Sequence, residues 1–233
     1  SMKKFNISPA RYITCIAVMT AVATALMYLE FSVPVIPGFI KFDFSELPPL
    51  LATYSLGPIA GVLVCLFKNL FHMIGTTTGC VGELSNFLLG ACLVVPAGLI
   101  YKFRKTRVTA LIGAAIGSLV MALMSLLVNY YITYPVYMKL FMPLEAILNA
   151  YQTINPAATS LWKALLMFNL PFNFVKGLIT AVLTFLIYKP LSPIIKGYHS
   201  VRRKRAQTDA ESAPSDIASA SDAAPERTPD PKQ

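Results

Sequence analysis

The chain has 233 residues, 55% of them apolar and only 13% charged, with a formal net charge of +9 and a mean hydropathy of +0.60. A soluble globular domain carries about 25% charged residues, so a cytosolic enzyme is excluded at the outset. Six spans of ~20 residues would fit, with loops and a tail but no second folded domain, and the basic residues flank apolar runs instead of forming the stripe that a nucleic-acid partner needs.

Ser1 before Met2 reads as a cloning remnant, and Lys3, Lys4 and Arg11 precede the first charge-free run, 12–29. This predicts a helix over 10–30. A signal peptide is the competing reading, because Ala23-Thr24-Ala25 mimics a cleavage site, but the apolar run continues past it. Ala17, Ala21 and Ala25 recur every fourth residue. Such a small-residue ridge lets another helix approach closely, inside the protein or from a partner. The segment Phe31–Ser45 is apolar and aromatic and is stiffened by Pro34, Pro37 and Gly38, unusual for a solvated connection.

The next charge-free run, 47–67, allows two parses. One helix from 47 to 74 gives five helices and puts the two ends of the protein on opposite sides. A break at Gly57-Pro58 gives helices over 44–56 and 58–75, and Gly-Pro is a good helix stop followed by a helix start. Helices over 82–103, 107–134 and 170–195 follow, with short interfacial helices expected in 135–169. Positive charge favours the break. One side then gathers Lys3, Lys4 and Arg11, the 102–107 cluster of Lys102, Arg104, Lys105 and Arg107, and the basic residues from Lys189 to Arg205, with no acid before the tail. The reading is an all-α, polytopic membrane protein with six transmembrane helices and both termini cytoplasmic, the second helix being too short to span alone. Residues 1–9 form an N-terminal cytoplasmic segment and 10–197 the membrane domain. Residues 198–233 form a basic, then Ala/Pro-rich and acidic tail that buries too little to order itself.

Polar residues inside a membrane need a reason, since a lysine at mid-helix costs about 2.5–3.5 kcal/mol. Several fall at one level near the outer side: Glu83 and Asn86 opening the fourth helix, Asn129 on the fifth, Asn173 and Lys176 three apart on the last, and Lys68 with Asn69 on the third. Each has a plain alternative. An asparagine near a helix end is often a cap, Lys176 can snorkel to headgroups, and Phe39, Phe42 and Phe44 can anchor an aromatic belt, as Tyr130, Tyr131, Tyr134 and Tyr137 are expected to do. Together, amides, a carboxylate, a cation and aromatic rings are what a planar, hydrogen-bonding, amphipathic solute requires. Gly113 and Gly117 are expected to pack internally. The four cysteines lack a C-x-x-C spacing and read as core residues, and with two histidines no metal site is expected. No phosphate-binding loop, paired broken helices or nucleophile–base constellation appears, which points to a solute-binding protein whose motor is a partner and not to an enzyme.

Four stretches carry a resemblance: Phe39-Ile-Lys-Phe-Asp-Phe-Ser45 with Pro48, Lys68-Asn69 with Gly75-Thr-Thr-Thr-Gly79, Val81-Gly-Glu-Leu-Ser-Asn-Phe87, and Pro171-Phe-Asn-Phe-Val-Lys-Gly177. The chain resembles, over about residues 8–197, the substrate-binding S components of energy-coupling factor (ECF) vitamin transporters, and within them the riboflavin-specific kind. The resemblance implies six helices and a vitamin site near the outer surface under the loop after the first helix, without catalysis. It also implies assembly with a membrane-embedded coupling subunit and two cytoplasmic ATPase subunits in a bacterial plasma membrane. Asn173 and Lys176 match the family's flavin-holding pattern, and Asn129 matches more loosely. Ala17, Ala21 and Ala25 fit its docking face for the coupling subunit. Glu83 and Asn86 match a family stretch without an assigned contact, and the acidic tail departs from the pattern. Riboflavin is thus expected as cargo, with no cofactor, its ring bonded by Asn129, Asn173 and Lys176 and covered by Phe42 or Phe44. The rivals are an S component for thiamine, folate or pantothenate, and a stand-alone secondary transporter or channel.

Overall fold

Proline and glycine set where the apolar runs start and stop as helices. In the computed structural model, residues 9–76 and 78–196 are described, with side-chain surroundings through Ile187. Contacts divide the chain into two units, Ser1–Pro190 and Leu191–Gln233, and the site belongs to the first. The expected tail at 198–233 and the segment before Pro9 lie outside the described residues.

Helix α1 spans Pro9–Tyr28. A loop follows in which Phe31–Ser32 (β1) and Lys41–Phe42 (β2) pair antiparallel, Phe31 opposite Phe42. This hairpin is the one departure from the all-α expectation among the described residues, and Pro34, Pro37 and Gly38 form its tip. Helix α2, Leu47–Leu56, begins with Pro48 in its first turn, where the missing N–H costs nothing, and ends at Gly57, whose φ of 110° favours glycine. Pro58 then opens α3, Pro58–His72, prolonged by a 3-10 turn over Met73–Gly75. The predicted break at 57–58 is therefore real. Gly61 of α3 lies against Thr53, so the two short helices fold back closely on each other.

Helices α4 (Val81–Phe103) and α5 (Arg107–Val128) are joined at Arg104–Thr106, with the Thr106 hydroxyl accepting from the Thr109 N–H as an N-cap. Cβ atoms at Gly113 and Gly117 would strike the backbone of Ala97 and Leu93, so these glycines pack internally, as expected. The fifth helix does not stop near 134. A π-helical turn, Asn129–Thr133, carries it on into α6, Tyr134–Leu140. The last helix likewise starts at Leu161, not near 170: α8 (Leu161–Ala164) passes through a π turn, Leu165–Asn169, into α9, Leu170–Lys196. Each π turn sits just ahead of a proline, Pro135 or Pro171, whose missing N–H and ring would break an ordinary α-helix; the wider turn absorbs both defects. Of the short helices expected in 135–169, only α7, Leu144–Gln152, stands apart from the two long helices.

Among the described residues five helical stretches are long and apolar enough to cross a membrane: Pro9–Tyr28, Pro58–Gly75, Val81–Phe103, Arg107–Leu140 and Leu161–Ile187. The ten-residue α2 is not. Up-and-down connection brings the loop after α1, the 73–80 connection, both π turns and α7 to one end of the bundle, here the loop end. Lys102, Arg104, Lys105 and Arg107 lie at the other.

Candidate functional site

The loop end contains two lysines that the sequence places in apolar helices, and each has found a carboxylate. Lys68 of α3 donates to Glu46 at 2.6 Å and to the Ser45 hydroxyl at 2.7 Å, with side-chain exposures of 0% and 2% for the ion pair. Lys176 of α9 donates to Asp43 at 2.8 Å, with 9% and 8% exposed. Both carboxylates come from the short run Asp43–Glu46, where the Ser45 N–H donates back to Asp43 at 2.7 Å and fixes its direction. Burial alone would raise the Asp43 carboxyl. The adjacent Lys176 and Lys68 ammonium groups, with hydrogen bonds from Lys176 and Ser45, outweigh it and hold the carboxyl at about 2. Gly90 of α4 leaves room for the Glu46 carboxylate, since a Cβ there would lie 2.7 Å from one of its oxygens. Lys176 therefore does not snorkel; it is buried and paired.

Asn173 lies one turn before Lys176 and is also buried. Its side-chain NH₂ donates to the Asn169 carbonyl at 2.8 Å. Asn169 closes the second π turn and accepts from the Tyr151 hydroxyl at 2.8 Å, and Tyr151 in turn bonds Tyr134. Tyr134 is buried by this chain of contacts, which corrects its expected place in an interfacial belt; Tyr130 and Tyr131 remain exposed. Asn129 opens the first π turn and is buried; its backbone N–H donates to the Ser125 and Leu126 carbonyls, while its side chain has no hydrogen-bond partner among the described residues. Gly177 packs against Ser118 and Met121, which sets α9 directly on α5. From that contact Asn169 is eight residues toward the loop end and Asn129 is eight beyond Met121 and eleven beyond Ser118, so both lie on its loop side, about 12–17 Å away at 1.5 Å per residue.

Phe42 is the hinge between polar and apolar parts. Its ring centroid lies 6.0 Å from the Lys176 Nζ, and 5.2 Å and 5.9 Å from the rings of Phe44 and Phe172. On its other side is an apolar cavity of about 620 Å³ between the loop and α9, walled by residues such as Phe31, Val33, Phe44, Phe168 and Val175. That volume falls within the range of small-molecule pockets. Phe42 and Phe44 line this cavity, whereas Asn129, Asn173 and Lys176 do not; the Phe42 ring is what joins the apolar space to the buried polar group.

The structure brings Phe42, Phe44, Asn173 and Lys176 together and sets Glu83 and Asn86 elsewhere at the same end. Glu83 accepts from Thr76 and Thr78 at 3.0 and 2.9 Å and pairs with the His72 Nδ1 at 2.9 Å, so its oxygens serve the 72–78 connection. The Asn86 NH₂ meets the Met27 sulfur of α1 at 3.7 Å. Sequence reasoning passed over Asp43, Ser45 and Glu46 as partners. The available signal was charge balance: two lysines in apolar helices call for two carboxylates, and these are the acids in the nearest apolar loop.

On α1 the alanines lie outward. Ile16, Thr20, Ala23 and Met27 form the buried face, whereas Ala17, Ala21 and Ala25 are exposed beside Val18 and Val22. Among the described residues the ridge is left exposed.

Residues 11–188 match the family described as "ECF transporter, substrate-specific component". The riboflavin transporter RibU of Staphylococcus aureus (strain TCH60) is 30% identical over 197 residues, covering 83% of this chain and 97% of that protein. The riboflavin transporter FmnP of Bacillus subtilis (strain 168) is 29% identical over 203 residues, covering 79% and 94%. A solved structure described as "Structure and mechanism of the S component of a bacterial ECF transporter" matches with a TM-score of 0.64 at 28% identity, covering 80% of this chain and 98% of that one.

Proposed function

The chain belongs to the substrate-specific components of ECF transporters, and on that premise we propose that it captures riboflavin at the outer face of a bacterial plasma membrane. It is a multi-pass transport protein of helices and not of an enzyme family. Riboflavin is the cargo, and the chain needs no cofactor. The observation that carries the reading is the buried group of Asn173, Lys176 and Phe42 beside the apolar cavity, in a chain whose relatives are named riboflavin transporters. Asn129, Asn173 and Lys176 bond the polar edge of the isoalloxazine ring and Phe42 and Phe44 cover its face, while Glu83 and Asn86, engaged by the 72–78 connection and by Met27, support the same end without touching the ring. Amide and ammonium donors meet carbonyl acceptors there, and the rings supply stacking area.

With both termini cytoplasmic, six helices put the loop end outside and Lys102–Arg107 inside, in accord with positive charge on the cytoplasmic side. Energy comes from partners: a membrane-embedded coupling subunit, docked on the ridge of Ala17, Ala21 and Ala25, and two cytoplasmic ATPase subunits. The exposure of that ridge supports the docking face.

The test is a riboflavin titration of the purified chain, following quenching of flavin fluorescence. Saturable one-to-one binding without any partner is expected. Absence of binding by folded, monodisperse protein would remove riboflavin and shift the cargo to another vitamin. Ion-driven uptake by the chain alone in liposomes would instead favour a secondary transporter.

A further inference from the structure

We propose that Asp43 is a positioning residue for the solute site: it holds the Lys176 ammonium in place through one N–H and leaves the other two for the cargo. The inference rests on the reading that Lys176 faces the solute.

An ammonium has three donors, and a buried one left unsatisfied is costly. Among the described residues Lys176 has one hydrogen-bond partner, the Asp43 carboxylate at 2.8 Å, and one ring, Phe42, within 6.0 Å. Its remaining N–H groups are unfilled demand on the side chain that lies one turn from Asn173. A solute with carbonyl or ring-nitrogen acceptors would satisfy them. The carboxylate is aimed before the lysine meets it. Its Oδ1 is fixed by the Ser45 N–H at 2.7 Å, which directs Oδ2 at Lys176. Ser45 is itself tied to Lys68, and Lys68 to Glu46, so the aim is anchored in the deepest ion pair of this end. A lysine on four flexible carbons has no such direction of its own. Without Asp43 its charge would face burial uncompensated, and it would turn toward headgroups.

The experiment measures riboflavin affinity by fluorescence quenching on the full chain, for the parent, Asp43→Asn, Asp43→Glu, Lys176→Met and the double variant Asp43→Asn/Lys176→Met, each checked for monodispersity. Asp43→Asn should weaken binding about tenfold or more, the scale of a lost charge-assisted hydrogen bond. Asp43→Glu, which restores the charge, should recover affinity to within about threefold of the parent. The double variant should bind no more weakly than Lys176→Met, because Asp43 acts only through the lysine. Parent-like binding by Asp43→Asn alongside a loss in Lys176→Met overturns the inference, as do additive losses in the double variant. Parent-like binding by Lys176→Met sinks instead the assignment of the lysine to the site, a distinguishable failure. If Asp43→Asn does not fold, the exchange Asp43→Lys/Lys176→Asp keeps an ion pair and moves the ammonium to the loop. It should fold and lose affinity; parent-like affinity would overturn the proposal.

Discussion

Two lysines cross from apolar helices to one short loop, and their pairs differ in depth. Lys68–Glu46 is sealed, with Ser45 bonding the same ammonium and Gly90 and Cys65 close around the carboxylate. Lys176–Asp43 is shallower, beside aromatic rings and a cavity, with ammonium donors to spare. The same chemistry thus serves two ends. A pair whose ammonium meets two acceptors in a sealed pocket fixes the loop, whereas a shallower pair with one acceptor keeps affinity for something else. Buried ion pairs contribute little net stability, but removing one partner strands the other charge.

The contrast can be broken most forcefully at the deep pair. Lys68→Met leaves Glu46 buried and unpaired, which should cost about 3–5 kcal/mol. It should appear as a large fall in melting temperature or loss of monodisperse protein; a parent-like melt would mean the deep pair does not fix the loop. Acid should act next, and on the shallow pair. Because the folded Asp43 carboxyl titrates at about 2 against an ordinary 3.8, its contribution is complete above pH 4 and is lost as pH falls from about 4 through 2. The loss is on the order of 2 kcal/mol. Unfolding curves of parent and Asp43→Asn should converge over that interval, and curves that stay parallel would count against the pair. Asn173→Ala should weaken riboflavin binding about tenfold, near 1.4 kcal/mol, with a small change in melting; an unchanged titration removes it from the site. Ala21→Trp, on the exposed ridge, should alter neither melting nor binding by more than about 0.5 kcal/mol. Uptake in cells carrying the partner subunits should nonetheless stop, and normal uptake would place docking elsewhere.

Much of this architecture is legible in one sequence. Charge-free runs mark the spans, Gly57-Pro58 marks the break, and the alternation of Ala17, Ala21 and Ala25 marks a face that the structure leaves exposed. What escaped has a common cause. Prolines 135 and 171 read as boundaries because proline ends an ordinary α-helix, yet a π turn before each lets the helix continue. The pairing of carboxylates 43 and 46 went unread because a contact across 133 residues of chain, as from Asp43 to Lys176, leaves no local periodicity. Tyr134 read as an interfacial anchor because its partners, Tyr151 and Asn169, come from other elements.

The two π turns also have a rotational effect. Each adds a residue to its helix, so everything beyond it is turned by about 100° relative to an uninterrupted α-helix. On α5–α6 and on α8–α9 the faces below the turn meet neighbouring helices through Gly117, Ser118 and Gly177, while those above it carry Tyr134 and Ala164. A single-residue insertion or deletion at Asn129 or Asn169 would spin the upper segment and leave the lower packing in phase. The bundle thus has a built-in swivel at which the chemistry of the solute end can be re-indexed without rebuilding the helices that support it.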